Sequence, residues 1–208
     1  MKEKASVVRL AARAPLRTIR TRDLSAVYAH PRSEARAVEQ RGLLHRLAHG
    51  FYCAVPPEYD AAVWRPTLEA AAVGIATAIY GERVPVLTGL SAARVHGALP
   101  RAIGAAFVAV PAKRRPLKLA DRSGEVRFVM RDVAALDAVL VPTDLGAALA
   151  TTLEQTILDL ARADPRGEDE AAQTAIDALW PECDHVALES IAATQRMRAT
   201  YARIAEGR

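Results

Sequence analysis

The stretch HPRSEARAVEQRGLLHRLAHGFYCAV, residues 30–55, decides how the chain is read. Pro31 suits the first turn of a helix, where a missing N–H costs nothing, and Gly42 suits the left-handed position just past a helix end. The spacing predicts a helix over 31–41. After Gly42 the apolar period drops to two. LLHRL and FYCAV flank AHG, a three-residue connection ending in glycine, and this predicts a β-hairpin. A short helix therefore runs straight into a ribbon, and both carry arginine or histidine.

With Ala35 and Val38 turned to the body, the opposite stripe of that helix is Ser33, Arg36, Ala37 and Gln40, spaced i, i+3, i+4, i+7. Arginine can donate two hydrogen bonds to guanine, glutamine pairs bidentately with adenine, serine takes either role, and an alanine methyl meets that of thymine. The exposed face of an ordinary helix more often carries Glu/Lys pairs.

Upstream, Val7, Val8, Leu10 and Ala11 form an apolar stripe that predicts a first helix over 3–13, stopped by Pro15. Thr21 is an acceptable N-cap for a second helix through RDLSAVYA, with Leu24, Val27 and Tyr28 at core spacing. Two helices, a recognition-type helix and a hairpin, in that order, predict a winged helix-turn-helix. Its recognition helix would lie in the major groove of DNA, with His45, Arg46 and His49 on or near a wing that braces the backbone. Arg17, Arg20, Arg22, Arg32 and Arg41 would add phosphate contacts, which fix position without reading sequence.

The charge distribution agrees with this reading. Residues 1–50 hold 11 Lys+Arg against 4 Asp+Glu, residues 51–208 hold 17 against 20, and together they give the net +4 of the 208-residue chain. A basic amino-terminal segment on a slightly acidic body is the electrostatic footprint of a nucleic-acid module joined to something else.

The proline-bounded passage PPEYDAAVWRP, residues 56–66, reads as a linker. It predicts a boundary near residue 60, between a winged-helix domain at 1–60 and a second domain at 61–208. In the second domain, residues 66–81 have helical character, and Ser91 is the expected N-cap of a short helix holding Val95 and His96 and ending at Gly97. AAFVAVP and EVRFVMRDV predict strands separated by the basic AKRRPLKLADRSG, and AVLVP predicts another. Leu153, Ile157, Leu158 and Leu160 mark an amphipathic helix, and residues 168–206 read as two more helices split by PECD. The expected class is α+β, with a small sheet and several helices in the carboxy-terminal domain. Within KRRPLK, the cations Lys113, Arg114 and Arg115 are either a second DNA contact or a solvated loop.

Several chemistries lack their residues. Cys53 and Cys183 are far apart with no CxxC spacing, so neither a disulfide scaffold nor a zinc site is expected, and both read as core thiols of a cytoplasmic protein. The amino terminus has no apolar run of signal-peptide length, and no stretch approaches the roughly 18 apolar residues of a membrane span. GLSAARVHG lacks the paired carboxylates of a nucleotidyltransferase. A winged-helix-fused, Mg²⁺-dependent nuclease would need a lysine where Asp121, Glu125 and Arg127 offer an arginine, which stays protonated. Ser91 and His96 lie on different helical faces without a nucleophile elbow, and Asp159 reads as a carboxylate bonded to backbone or arginine. No enzyme, cofactor or metal is expected.

Three segments in fixed order carry a resemblance. They are GLLHRLAHGFYCAVP with Gly42, Arg46, Gly50 and Tyr52; LTGLSAARVHGAL with Ser91, Ala92, His96 and Gly97; and VPTDLGAALATTLEQTILDLA with Thr151, Thr152, Gln155, Thr156, Leu158, Asp159 and Leu160. Over most of residues 15–163 the chain resembles the AbiE-type antitoxins, the AbiEi family of type IV toxin–antitoxin operons. The resemblance implies an autorepressor that binds repeats of double-stranded operator DNA in its own promoter and counters a nucleotidyltransferase toxin encoded beside it. Two features depart from the family pattern: AHG stands where an arginine pair is common, which shifts wing contacts to histidine, and the carboxy-terminal tail is short. The competing expectation is an interaction module that neutralises a partner protein without binding DNA.

Overall fold

Of the chain, the computed structural model describes residues 6–100 and 104–207. Ser6 opens helix α1 (Val7–Arg13) by accepting from the Arg9 N–H at 3.3 Å, and a 3-10 turn at Pro15–Arg17 leads into strand β1 (Thr18–Arg20). The expected start of the first helix at residues 3–5 lies outside the described residues. Where the sequence predicts a second α-helix, Thr21–Ala26 is a 3-10 segment. The Ser25 hydroxyl donates to the Arg22 carbonyl at 2.6 Å, a local bond that competes with the α-helical ladder. Helix α2 (Pro31–Gln40) follows, then β2 (Leu44–Ala48) and β3 (Phe51–Ala54). These strands form an antiparallel sheet in the order β1-β3-β2. The hairpin connection is shorter than the expected AHG. After a bulge between Arg46 and Ala48, Ala48 itself pairs with Phe51, leaving His49 and Gly50 to make the turn, with Gly50 at φ +79.

The segment 56–66 leads to helix α3 (Leu68–Tyr80), whose N-cap Thr67 accepts from Ala70 N–H. All nine residues from Glu69 to Thr77 are buried, because the helix packs against both the amino-terminal sheet and the larger sheet beyond it. Small side chains permit the close approach. A Cβ added at Gly74 would stand 2.6 Å from Thr18 Oγ1 of β1. The larger sheet consists of β4 (Val86–Leu87), β5 (Ala105–Val110), β6 (Leu117–Lys118), β7 (Glu125–Met130), β8 (Ala138–Thr143) and β9 (Gly146–Thr151). Their order is β6-β7-β5-β4-β9-β8, with β5 parallel to β7 and β4 parallel to β9. Several elements differ from the sequence reading: β4 and β6 are two-residue strands that the pattern does not mark, β6 lying within the basic segment read as a connection. Gly146–Thr151 is a strand hairpinned onto β8, and Ser91 lies inside helix α4 (Leu90–Val95), whose N-cap is Gly89. The Ser91 hydroxyl is fully buried and accepts from the Phe107 N–H at 2.9 Å, which ties the helix to β5 instead of capping it.

Helix α5 (Leu153–Ala163) carries Ile157, Leu158 and Leu160 into a second core with α6 (Glu170–Leu179), α7 (His185–Thr194) and α8 (Arg198–Glu206). The predicted last helix is thus two, broken at Arg196, which sits at φ +59. The chain is α+β. Its largest core crosses the 56–66 passage: Leu47, Phe51 and Cys53 of the amino-terminal hairpin share it with α3, Leu87, Val108 and Val126.

Candidate nucleic-acid interface

Helix α2 buries Ala35 and Val38 against a cluster that includes Val7, Ala11, Ile19, Leu24 and Tyr52. That choice of inward face turns Ser33, Arg36, Ala37 and Gln40 to solvent, and all four are exposed, as are Arg32 and Arg41. Gly42 ends the helix at φ +72, and a Cβ there would approach Ala61 Cβ to 2.9 Å, so this position admits glycine alone.

The remaining sequence-predicted residues divide into free and committed groups. Arg22 is free, with a side chain 76% exposed and only a 3.7 Å approach to Asp23; His49 is exposed on the hairpin turn. Arg20 is committed to Asp23 through two bonds of 2.7 and 2.9 Å. Arg17 is half-buried, its Nε donating to the Ala54 carbonyl at 3.4 Å. Arg46 lies half-buried beside α2, its Nε without a hydrogen-bond partner among the described residues. Burial raises the Tyr52 hydroxyl above its ordinary pKa; Glu39 adds to the rise, while Arg46 and Arg36 oppose it. Lys113, Arg114 and Arg115 are exposed on the β5–β6 connection, with the Arg114 guanidinium 5.7 Å from the centre of the Phe128 ring.

His45 corrects the sequence reading. It points away from any wing surface and into the junction with the body. There its Nε2 lies 2.9 Å from Asp121 Oδ2, and its ring stands edge-on to Trp64 at 6.0 Å. Arg122 holds the same carboxylate at 2.6 and 3.1 Å and donates to the Pro66 carbonyl at 2.7 Å. The adjacent backbone extends the tie: Ala120 N–H donates to Leu47 O at 2.9 Å, and Ala48 bridges to Leu119. Burial alone would raise the Asp121 pKa, but the hydrogen bonds and charges of His45 and Arg122 outweigh it and hold the carboxyl well below its ordinary 3.8. A depressed folded pKa means that the stabilisation is complete above the unfolded value and is lost as pH falls below it, toward the folded value. Asp121→Asn is therefore expected to flatten the acid limb of the stability curve below about pH 4, read by denaturation across pH. An unchanged acid limb would remove this junction as its source.

Asp121 is engaged apart from Glu125 and Arg127, since Glu125 accepts from Arg127 Nε at 2.7 Å while Asp121 faces the hairpin. Among the described residues, no group of three or more His, Cys, Asp or Glu is placed to hold a metal ion. Burial, and then the charge of Asp121, pushes the Cys53 thiol up to about 12, which makes it an inert core group.

The residues of the second and third motif segments gather in the interior of the body. His96 Nε2 bonds the Thr151 carbonyl at 2.7 Å, and the hydroxyls of Thr151 and Thr156 meet at 2.7 Å. Asp159, 8% exposed, accepts from Thr88 Oγ1 at 2.9 Å, Gln155 Nε2 at 3.0 Å and Arg131 at 3.0 Å. Glu69, 3% exposed, accepts from Arg94 at 2.7 Å. Beside Asp159 opens a cavity of about 820 Å³, walled by Leu90, Phe107, Val129, Leu160 and Arg131.

The chain matches no family model and no curated protein. Among solved structures it is similar to the RV2827C protein from Mycobacterium tuberculosis, with a TM-score of 0.55 and 20% sequence identity over 94% of this chain and 75% of that one. At that identity the likeness is one of fold. No helix among the described residues is long and apolar enough to cross a membrane.

Proposed function

We propose that this protein is a DNA-binding autorepressor of the antitoxin type, reading double-stranded operator repeats through α2. The observation that carries the reading is the exposed stripe of Ser33, Arg36, Ala37 and Gln40 opposite the buried Ala35 and Val38. The succession of α1, β1, a helical turn, α2 and a hairpin, with sheet order β1-β3-β2, supports a winged helix-turn-helix over residues 1–60. The free cations Arg22, Arg32 and Arg41, with His49 on the turn, are the groups left for phosphate. The resemblance in the three motif segments extends the proposal to a cytoplasmic antitoxin that counters a nucleotidyltransferase toxin. The carboxy-terminal residues 61–208 would supply toxin control, or an extra DNA contact through Lys113, Arg114 and Arg115.

The test is a titration of the full chain against its own upstream DNA and a scrambled duplex at two salt concentrations. Tight, salt-dependent and sequence-selective binding is expected. Weak, equal binding to both duplexes would replace this reading with a module that neutralises a protein partner. Arg36→Ala is expected to cost about 1–3 kcal/mol on the cognate site and to relax one base position. An equal loss on every sequence would reduce Arg36 to a phosphate contact.

A further inference from the structure

We infer that the free edge of β8 is a docking strand for a second copy of this chain. The six-stranded sheet ends in β6 on one side and β8 on the other. The β6 edge is short and covered: it is two residues long, contains Lys118, and the chain that follows it is bridged by the amino-terminal hairpin at Ala48 and Leu119. The β8 edge runs for six residues, AVLVPT, with no charge. Val139 and Leu140, which point to opposite sides of the strand, are 43% and 44% exposed. A long apolar edge of this kind is a template for another strand.

The backbone identifies which groups face outward. Thr152 N–H donates to the Asp137 carbonyl at 3.1 Å, so by the alternation of an antiparallel ladder the odd-numbered residues of β8 bond to β9. Ala138, Leu140 and Pro142 turn their backbone groups away from the sheet. Pro142 offers only its carbonyl, and an outward position is where a strand tolerates proline.

A second copy suits this edge because the strand is complementary to itself. In an antiparallel pairing centred on Leu140, the two Leu140 residues exchange both of their bonds, and each Ala138 N–H reaches the Pro142 carbonyl of the other copy. Every outward N–H then has an acceptor. The flanking acids do not meet: Asp137 stands opposite Thr143, and Asp144 opposite Leu136. Both are already held, Asp137 by the Thr152 hydroxyl at 2.8 Å and Asp144 by the Thr67 hydroxyl and N–H at 2.7 Å. A contact this small gives a weak dimer.

The test needs no DNA and is independent of the proposed function. Sedimentation of the full chain should show the mass rising from 22.4 kDa toward twice that value through the micromolar range. Leu140→Cys should cross-link under mild oxidation, since hydrogen-bonded antiparallel partners have Cα atoms about 5.5 Å apart, within disulfide reach. Val139→Cys, which faces Val141 instead of itself in this register, should not. Leu140→Lys should weaken the dimer at least about tenfold, with an unchanged melting temperature at concentrations where both chains are monomeric. A constant mass of 22.4 kDa would overturn the inference, as would cross-linking of Val139→Cys equal to that of Leu140→Cys. A dimer that survives Leu140→Lys would place the contact elsewhere and overturn it too.

Discussion

Leu47→Ala is expected to lower the unfolding free energy by about 2–5 kcal/mol, the range for truncating a fully enclosed leucine. Leu47 is 0% exposed and sits where the amino-terminal hairpin, α3 and the strands of the larger sheet share one core. Its own carbonyl accepts from Ala120 on the far side of the junction. The loss should therefore appear in a single cooperative transition, because the cavity opens in a core common to both halves. Denaturant unfolding followed by circular dichroism and by tryptophan fluorescence, with Trp180→Phe leaving Trp64 as the reporter at the junction, separates the cases. Two transitions, with only one displaced, would show that the amino-terminal module folds on its own and that the shared core contributes little.

Asp159→Ala is expected to cost about 3 kcal/mol, at the lower end of the effect of breaking a buried ion pair, since Arg131 keeps some access to water. The side chain of Arg131 is 25% exposed and that of Asp159 6%. Removal of the carboxylate would also strip Thr88 Oγ1 and Gln155 Nε2 of their acceptor. The disturbance would spread, because Gln155 Oε1 accepts from the Asp137 N–H and from Gln195 Nε2, joining the residue before β8, α5 and the end of α7. Asp159→Asn should cost less, since its carbonyl can still accept from Arg131 and Gln155 while its amide donates to the Thr88 hydroxyl. Equal losses in the two variants would mean that charge, and not hydrogen bonding, holds the network. No loss in either would reduce the network to packing.

The motif residues that carried the family resemblance thus have different physical duties. Gly42 and Gly50 permit backbone turns at φ +72 and +79. Ser91, His96, Thr151, Thr156 and Asp159 satisfy buried polar groups of the body. The stripe proposed to read bases is separate from them.

Local order determined much of the structure. Pro31, Gly42 and the switch from period 3.6 to period 2 give α2 and its hairpin, because caps and side-chain periodicity act within a few residues. The same logic makes Ser33, Arg36 and Gln40 an outward face once Ala35 and Val38 are apolar and one turn apart. The structure, by contrast, decided which cations are free. Arg20 finds Asp23 only three residues away, a pairing open to the sequence but not foreseen. His45 finds Asp121 across 76 positions, and Glu69 finds Arg94 across 25. Long-range partners depend on how sheets and helices stack, which no spacing along the chain encodes. Gly146–Thr151 shows the same limit: with five small residues and one leucine it has little intrinsic strand character, and it becomes β9 because it completes the pairing between β8 and β4.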